Sequence, residues 1–402
     1  MQILDIAPFG VYPPKSGGHL RIHNLNLEAS KRGHELFLFS QGIRAFELRF
    51  PLRSWITKIN NNYIEYRYIN LISLATSFFA DNLLGLPPIF AGDVLKLSKP
   101  AILKKQAEKS GIIKIEHPWQ FSYVHKINRE YKLPLILVEH NAEFELIKQT
   151  MKSQFLSKKT YQIALNTEKY ALEYSDFIFA TSKEDKQKLV NKFDIEENKI
   201  YIIPNGVDVS EFSPHLSIEK EIEKKDMGLA GKKVVLFTGW KHPPNIEAVA
   251  EIIKIAGKIK NGNIFFLIVG RCGDAFKNIK KSNILFTGYV EDTTPYLNVA
   301  DVAINPMLSG SGTNIKVLEY LALGLPTITT PVGARGLEMV SNKHVIIANT
   351  GNFPNAIIDL LKDKEKQKEL SKNGRKLVEE KYNWKIIAEK EDILLRKIYK
   401  KY

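Results

Sequence analysis

The sequence predicts an α/β protein made of two doubly wound, Rossmann-like domains. Three observations carry this. The chain opens with a buried-strand pattern, MQILDIAPF, then a glycine loop, a helix and a second strand, GHELFLFSQ; that is how an open parallel sheet begins. A polar, charged stretch over 213–230 then separates this half from a new apolar strand, KKVVLFTGW. Finally, GSGTNIKVLEYLALGLP, 310–326, runs from glycines into a short apolar-striped helix and stops at Gly324 and Pro326. Glycine just past a helix, with proline soon after, is a stop signal.

Composition agrees with this reading. The 402 residues suffice for two or three domains with real cores, and 44% apolar with 25% charged residues is ordinary for a globular protein. Cys272 is the single cysteine, which excludes a disulfide framework or a cysteine metal cluster and suits a reducing, cytoplasmic setting. The first ten residues read as a strand rather than a signal peptide, and no apolar run reaches the roughly 18–20 residues of a spanning helix. The net charge is +14. The lysines are spread along the chain and often sit beside glutamate, as in KDKEKQKEL. This pattern, without an aromatic-plus-basic module, argues against nucleic acid as a partner. It leaves a lysine-rich solvated surface or attraction to an anionic membrane.

In the first half, the glycine loop carries Gly17 and Gly18, and a helix over about 19–32 ends at Gly33. Residues 43–100 are apolar and aromatic with interleaved basic residues. Asp81, Pro87 and Pro88 interrupt any long helix, and the segment reads as a core helix plus loops. IIKIEHPWQF (112–121) and LPLILVEHNAEFE (133–145) each read as a strand running into a loop. Sites in α/β proteins gather at such carboxyl ends, which makes His117 and His140 candidates, with Asn141 and Glu143 beside them. A helix over about 157–173 leads to a further strand, SDFIFATS, and to KIYIIPNGVDVSEFSP, whose PNGVD is a turn signal. In the second half the strands are 232–240, 265–270, 283–290 and 301–307, with a further strand and loop over 327–336 and helices such as NIEAVAEIIKIAGKI between them. The last segment, WKIIAEKEDILLRKIYKKY, is a tail helix. The resulting domains are 1–205, 206–380 and a tail at 381–402.

In the 310–326 segment, Ile315, Leu318 and Ala322 share a buried helix face, while Lys316 and Glu319, three apart, share another. A glycine turn entering a helix exposes backbone N–H groups and the positive end of the helix dipole, a site for phosphate. A cation and a carboxylate one turn further in can hold the rest of a nucleotide.

These residues resemble the donor-site motif of glycosyltransferase family 4, the retaining sugar transferases of GT-B fold. The string G-x-G-T-x-x-K-x-L-E, from Gly310 to Glu319, matches one version of that motif. The opening P-P-x-x-G-G, the PNGVD string (Pro204 to Asp208) and E-H-N-A-E around His140 resemble the family as well. The resemblance implies a nucleotide-sugar donor, UDP- or GDP-linked, held by the second domain. It assigns Glu319 to the ribose and His140 to the donor sugar at the reaction centre, and both are named as catalytic. Donor binding falls to Gly17, Gly18, Lys241, Arg271, Tyr289, Val290, Ser311, Gly312, Thr313, Asn314 and Lys316. Tyr289 and Val290 lie where the family holds the base, and His117 lies on the acceptor side. It also implies that the tail helix crosses back onto the first domain and that a cleft between the domains closes over the donor.

The sequence departs from the family at three places. Ser311 replaces the first glutamate of the Glu-x7-Glu pair. Trp240 and Asn245 stand where better-known members carry the Arg and Lys that grip the pyrophosphate; Lys241, Arg271 and Lys316 are the remaining cations for that task. No D-x-D string occurs, and the expectation is a metal-independent enzyme without a cofactor. The expected reaction is front-face transfer of a hexose, with retention, to a glycan or lipid-linked acceptor in surface-glycan or glycolipid synthesis. The expected setting is cytoplasmic, with peripheral contact at the cytoplasmic face of an anionic membrane. A GT-B epimerase and a non-catalytic glycan-binding protein are the alternatives. A nicotinamide dehydrogenase is excluded because no G-x-G-x-x-G follows the first strand.

Overall fold

The computed structural model describes residues 1–42, 53–76, 88–150, 157–214, 217–310 and 312–402. The chain forms two compact units. Met1–Pro204 with Trp384–Tyr402 make the first, and Asn205–Asn383 make the second.

The first unit carries strands β1 (Gln2–Ala7), β2 (Glu35–Gln41), β3 (Trp55–Asn60), β4 (Tyr63–Tyr68), β5 (Ile112–Glu116), β6 (Leu135–Glu139), β7 (Phe177–Ala180) and β8 (Ile200–Ile202). They lie in the order β3-β4-β2-β1-β5-β6-β7-β8. All neighbouring pairs are parallel except β3 with β4. The order turns at β1, with β2 on one side and β5 on the other, so the loops after β1 and β5 flank a topological switch point. Strands β1, β5 and β6 are almost wholly buried, as expected for a parallel sheet covered on both faces.

Strands β3 and β4 differ from the helix-plus-loops expected over 43–100. The cause is the inverted patterning of YIEYRY. In β4 the buried positions are Tyr63, Glu65 and Arg67, and the half-buried ones are Ile64, Tyr66 and Tyr68. Arg67 Nη2 lies 3.1 Å from Glu65 Oε1, which also accepts from the Ser40 hydroxyl at 2.5 Å and the Val11 amide at 2.9 Å. A buried charge is tolerable when it is paired and hydrogen-bonded, and here that pairing replaces the apolar face a strand pattern looks for. Asp81 and Pro87 lie outside the described residues.

The last helix, Trp384–Lys401, belongs to the first unit. It buries Trp384, Ile387, Ala388, Leu395 and Ile398 in one core with Ile22, Leu25 and Ala29 of the first helix, Gly17–Lys31. A buried ion pair reinforces this, since Lys114 of β5 lies 3.0 Å from Glu391. Among the described residues no helix is long and apolar enough to cross a membrane.

The second unit carries β9 (Lys233–Thr238), β10 (Ile264–Val269), β11 (Ile284–Phe286), β12 (Val302–Asn305), β13 (Thr327–Thr329) and β14 (Ile346–Ile347). All are parallel, in the order β11-β10-β9-β12-β13-β14. Counted within the unit this is 3-2-1-4-5-6, the dinucleotide-fold order, whose ligand crevice lies at the strand ends between the first and fourth strands. Here those are β9 and β12.

Candidate active site

The second unit builds one cluster at that switch point. After β12 the chain passes through Met307 and Leu308 to Gly310 and Gly312, both at positive φ (125° and 66°), conformations that favour glycine. Ser311 lies outside the described residues. Arg335 pins this turn, its Nη2 donating to the carbonyls of Gly310 at 2.8 Å and Gly312 at 3.3 Å. Peptide planarity therefore turns the N–H of Thr313 to the side away from Arg335. Asn205, in the PNGVD string, donates to the Thr313 hydroxyl at 2.5 Å. Asn314 precedes the helix Ile315–Ala322 and donates to the Gly333 carbonyl at 3.3 Å. Neither Arg335 nor Asn205 was singled out in the sequence, because both act from far along the chain.

Helix Ile315–Ala322 buries Val317, Leu318, Tyr320, Leu321 and Ala322. Lys316 and Glu319 are left partly exposed on its other face. The Lys316 ammonium lies 4.3 Å above the Phe237 ring and donates to Asn245 Oδ1 at 2.7 Å. Asn245 in turn donates to the Trp240 carbonyl at 3.0 Å. Asn245, which replaces the family's lysine, thus holds the lysine that the chain supplies from a different helix. Burial pushes Lys316 down to about 8, against the pull of Cys272 and Glu319. Burial pushes Glu319 up to about 7, with Lys316 opposing and Glu211 adding to it. Burial of a cation and a carboxylate side by side shifts both groups toward neutrality, a mark of candidate functional sites.

Close backbone approach closes the strand ends beside this pair. Gly270 has φ of 97°, and a Cβ there would meet the Gly239 carbonyl at 2.4 Å. Trp240 is 50% exposed and Tyr289 61%, with ring centroids 6.3 Å apart at 85°. Tyr289 is therefore no core residue, whereas Val290 packs beneath with Leu297 and Val299. Arg271 lies over the Trp240 ring at 5.6 Å and pairs with Asp274 at 3.3 Å. Lys241 is exposed.

The first unit builds a second cluster at its own switch point. Gly17 and Gly18 are the first two residues of the helix Gly17–Lys31, not a loop ahead of it. A Cβ on Gly18 would sit 3.6 Å from His140 Nδ1. His140 follows β6 and His117 follows β5, and their rings stack at 4.1 Å and 17°. His140 Nε2 lies 2.5 Å from Glu116 Oε2, and His117 Nδ1 lies 2.7 Å from Glu143 Oε1. Asn141 Nδ2 also reaches Glu143 Oε1, at 3.4 Å. His117 has φ of 67°, a costly conformation for a side-chain-bearing residue that gathers at working sites. Burial holds the His140 imidazole well below its ordinary range, with His117 and Arg21 adding to the effect. Among the described residues no group of His, Cys, Asp or Glu is placed to hold a metal ion.

Comparison with known proteins bears on these two clusters. The profile for Glycosyltransferase Family 4 matches residues 16–211, and that for Glycosyl transferases group 1 matches residues 232–363. Spore coat protein SA of Bacillus subtilis is 24% identical over 67% of this chain and 77% of its own. An Escherichia coli UDP-Gal:alpha-D-GlcNAc-diphosphoundecaprenol alpha-1,3-galactosyltransferase is 26% identical over 48% of this chain and 54% of its own. A solved structure of Anabaena HepE in complex with UDP and glucose superposes with a TM-score of 0.72 at 14% identity, covering 99% of this chain and 100% of that one. The fold is GT-B, and the chain belongs to the family 4, group 1 glycosyltransferases.

Proposed function

We propose that this glycosyltransferase moves a hexose, with retention, from a nucleoside-diphosphate sugar to a hydroxyl of a glycan or lipid-linked acceptor. The observation that carries the reading is the Lys316–Glu319 pair at the switch point of the second unit. A diphosphate would pair with the Lys316 ammonium, and ribose hydroxyls would donate to the Glu319 carboxylate. UDP is the favoured nucleotide, since HepE binds UDP and the galactosyltransferase relative takes UDP-Gal. That relative's diphosphoundecaprenol acceptor also favours a lipid-linked acceptor in surface-glycan synthesis. A lysine-rich chain of net charge +14 suits a cytoplasmic enzyme resting on an anionic membrane face.

In the proposed step the anomeric C–O bond to the diphosphate breaks while the acceptor oxygen bonds the same carbon from the same face. The acceptor proton passes to the departing phosphate oxygen. The Thr313 amide, the helix N-terminus and Lys316 stabilise the developing charge, and His140 contacts the sugar. No metal enters the step.

The experiment is a thermal-shift titration with UDP, GDP and ADP in excess EDTA, on wild type and Glu319→Ala. One nucleotide stabilises wild type by about 2.7 kcal/mol at 100 times its dissociation constant and leaves the variant unmoved. Stabilisation by none of the three, or equal stabilisation of the variant, refutes the assignment.

A further inference from the structure

We propose that Glu116 is a positioning residue. It accepts the Nε2–H of His140 and so turns the lone pair of Nδ1 toward Gly18, as a hydrogen-bond acceptor for a sugar hydroxyl. The choice of ligand rests on the glycosyltransferase reading. The choice of tautomer does not.

The 2.5 Å contact between His140 Nε2 and Glu116 Oε2 is buried at both ends, with 6% and 2% of the side chains exposed. A carboxylate can only accept, whereas a carboxylic acid would donate and force the opposite tautomer. Burial raises the Glu116 carboxyl above its ordinary value, and two cations oppose that shift. Lys114 Nζ lies 3.7 Å from Glu116 Oε1, and the buried Arg21 guanidinium also acts on it. Both favour the charged carboxylate.

The other nitrogen lies beside the glycine at position 18. Position 18 is a glycine, and its Cα face toward Nδ1 has only the space a methyl would fill, at 3.6 Å. A larger side chain there would cover Nδ1. The ring plane is fixed from the other side by His117, stacked at 4.1 Å and 17°. Burial, and then the stacked His117, disfavours a charged His140. His117 Nδ1 faces a carboxylate of its own, Glu143 Oε1, at 2.7 Å. A neutral His140 with its Nε2 proton committed has one remaining capacity, to accept at Nδ1. The Glu116 carboxylate thus does for the histidine what a buried carboxylate does for the base of a catalytic triad, orienting it without exchanging the proton.

The test needs no substrate, so it stands or falls separately from the nucleotide titration. Full-length protein labelled with 15N-histidine is examined by NMR, and His140→Gln assigns the His140 signals. Wild type is expected to show an unprotonated Nδ1 and a slowly exchanging, far-downfield proton on Nε2. Glu116→Gln, whose amide oxygen can still accept, is expected to keep that proton signal. Glu116→Leu is expected to lose it, with the circular dichroism spectrum unchanged. A proton on Nδ1 in wild type overturns the proposal. So does an Nε2 proton signal that survives unaltered in Glu116→Leu. Should the leucine variant not fold, the wild-type tautomer alone decides.

Discussion

Replacing Lys316 by methionine separates a binding residue from a structural one, because the two roles predict opposite outcomes. The ammonium is held at about 8 against an ordinary 10.5. That gap, at about 1.4 kcal/mol per unit, sets a ceiling of about 3 kcal/mol on what charge at this position costs the ligand-free fold. Solvent reaching the partly exposed side chain lowers that ceiling. The contacts with Asn245 and Phe237 return about 1–3 kcal/mol. Methionine has similar length, keeps the packing on Phe237 and removes the charge. The ligand-free Lys316→Met protein is therefore expected within about 1 kcal/mol of wild type, or slightly above it. Nucleotide binding behaves differently. A charge-assisted contact to the diphosphate is worth about 1.5–3 kcal/mol, so affinity falls roughly 10- to 150-fold. At a concentration 100 times the wild-type dissociation constant, stabilisation drops from about 2.7 to about 0.4 kcal/mol for a 100-fold loss. Differential scanning fluorimetry with and without nucleotide, in EDTA, reads both quantities from one sample. A variant that loses several kcal/mol on its own, yet keeps its nucleotide shift, refutes the reasoning.

Three other outcomes follow from the same structure. Nucleotide affinity is expected to be bell-shaped in pH: it rises as Glu319 ionises near 7 and falls as Lys316 loses its proton near 8, the two limbs belonging to the pair. In the ligand-free protein, the raised carboxyl makes stability fall as pH rises from about 4.5 to about 7. The depressed lysine makes stability recover between about 8 and 10.5. Isothermal titration across pH 6 to 9 checks the bell, and a flat profile contradicts it. Glu391→Ala leaves Lys114 buried with Glu116 at 3.7 Å and Asp5 at 3.9 Å as its remaining partners. The expected loss is about 3 kcal/mol, with faster hydrogen exchange in the last helix, and unchanged exchange would count against that pairing. Gly270→Ala forces a Cβ to within 2.4 Å of the Gly239 carbonyl at φ of 97°. A loss of about 2–3 kcal/mol in urea denaturation is expected, and a neutral substitution would show that these strand ends can part.

Much of the site was legible because its chemistry is local. The glycines at 310 and 312, and Lys316 and Glu319 at three-residue spacing in the helix after them, all lie within ten residues. His117 and His140 each follow an apolar run at a strand end. What was not legible comes from distant segments. Arg335 reaches the carbonyls of Gly310 and Gly312 across more than twenty residues. Asn245 reads as a missing lysine until Lys316 is found bonded to it across seventy-one. Strand β4 was missed because its buried side carries Glu65 and Arg67, and a pairing between charges leaves no apolar alternation to detect. Gly17 and Gly18 read as a loop because glycines usually break helices, whereas here they begin one.

The sequence by itself determined the class of this protein. Apolar strand runs, glycine turns and helix stops recur at the spacing of two doubly wound sheets, and the 310–326 string carries the family. Short-range steric and hydrogen-bonding rules suffice for that much. Only the tertiary structure decided the order of the strands and hence the two switch points. It alone decided which carboxylate faces which histidine and how far Lys316 and Glu319 are driven toward neutrality. Desolvation and through-space charge depend on which segments pack together, and a linear pattern does not contain those distances.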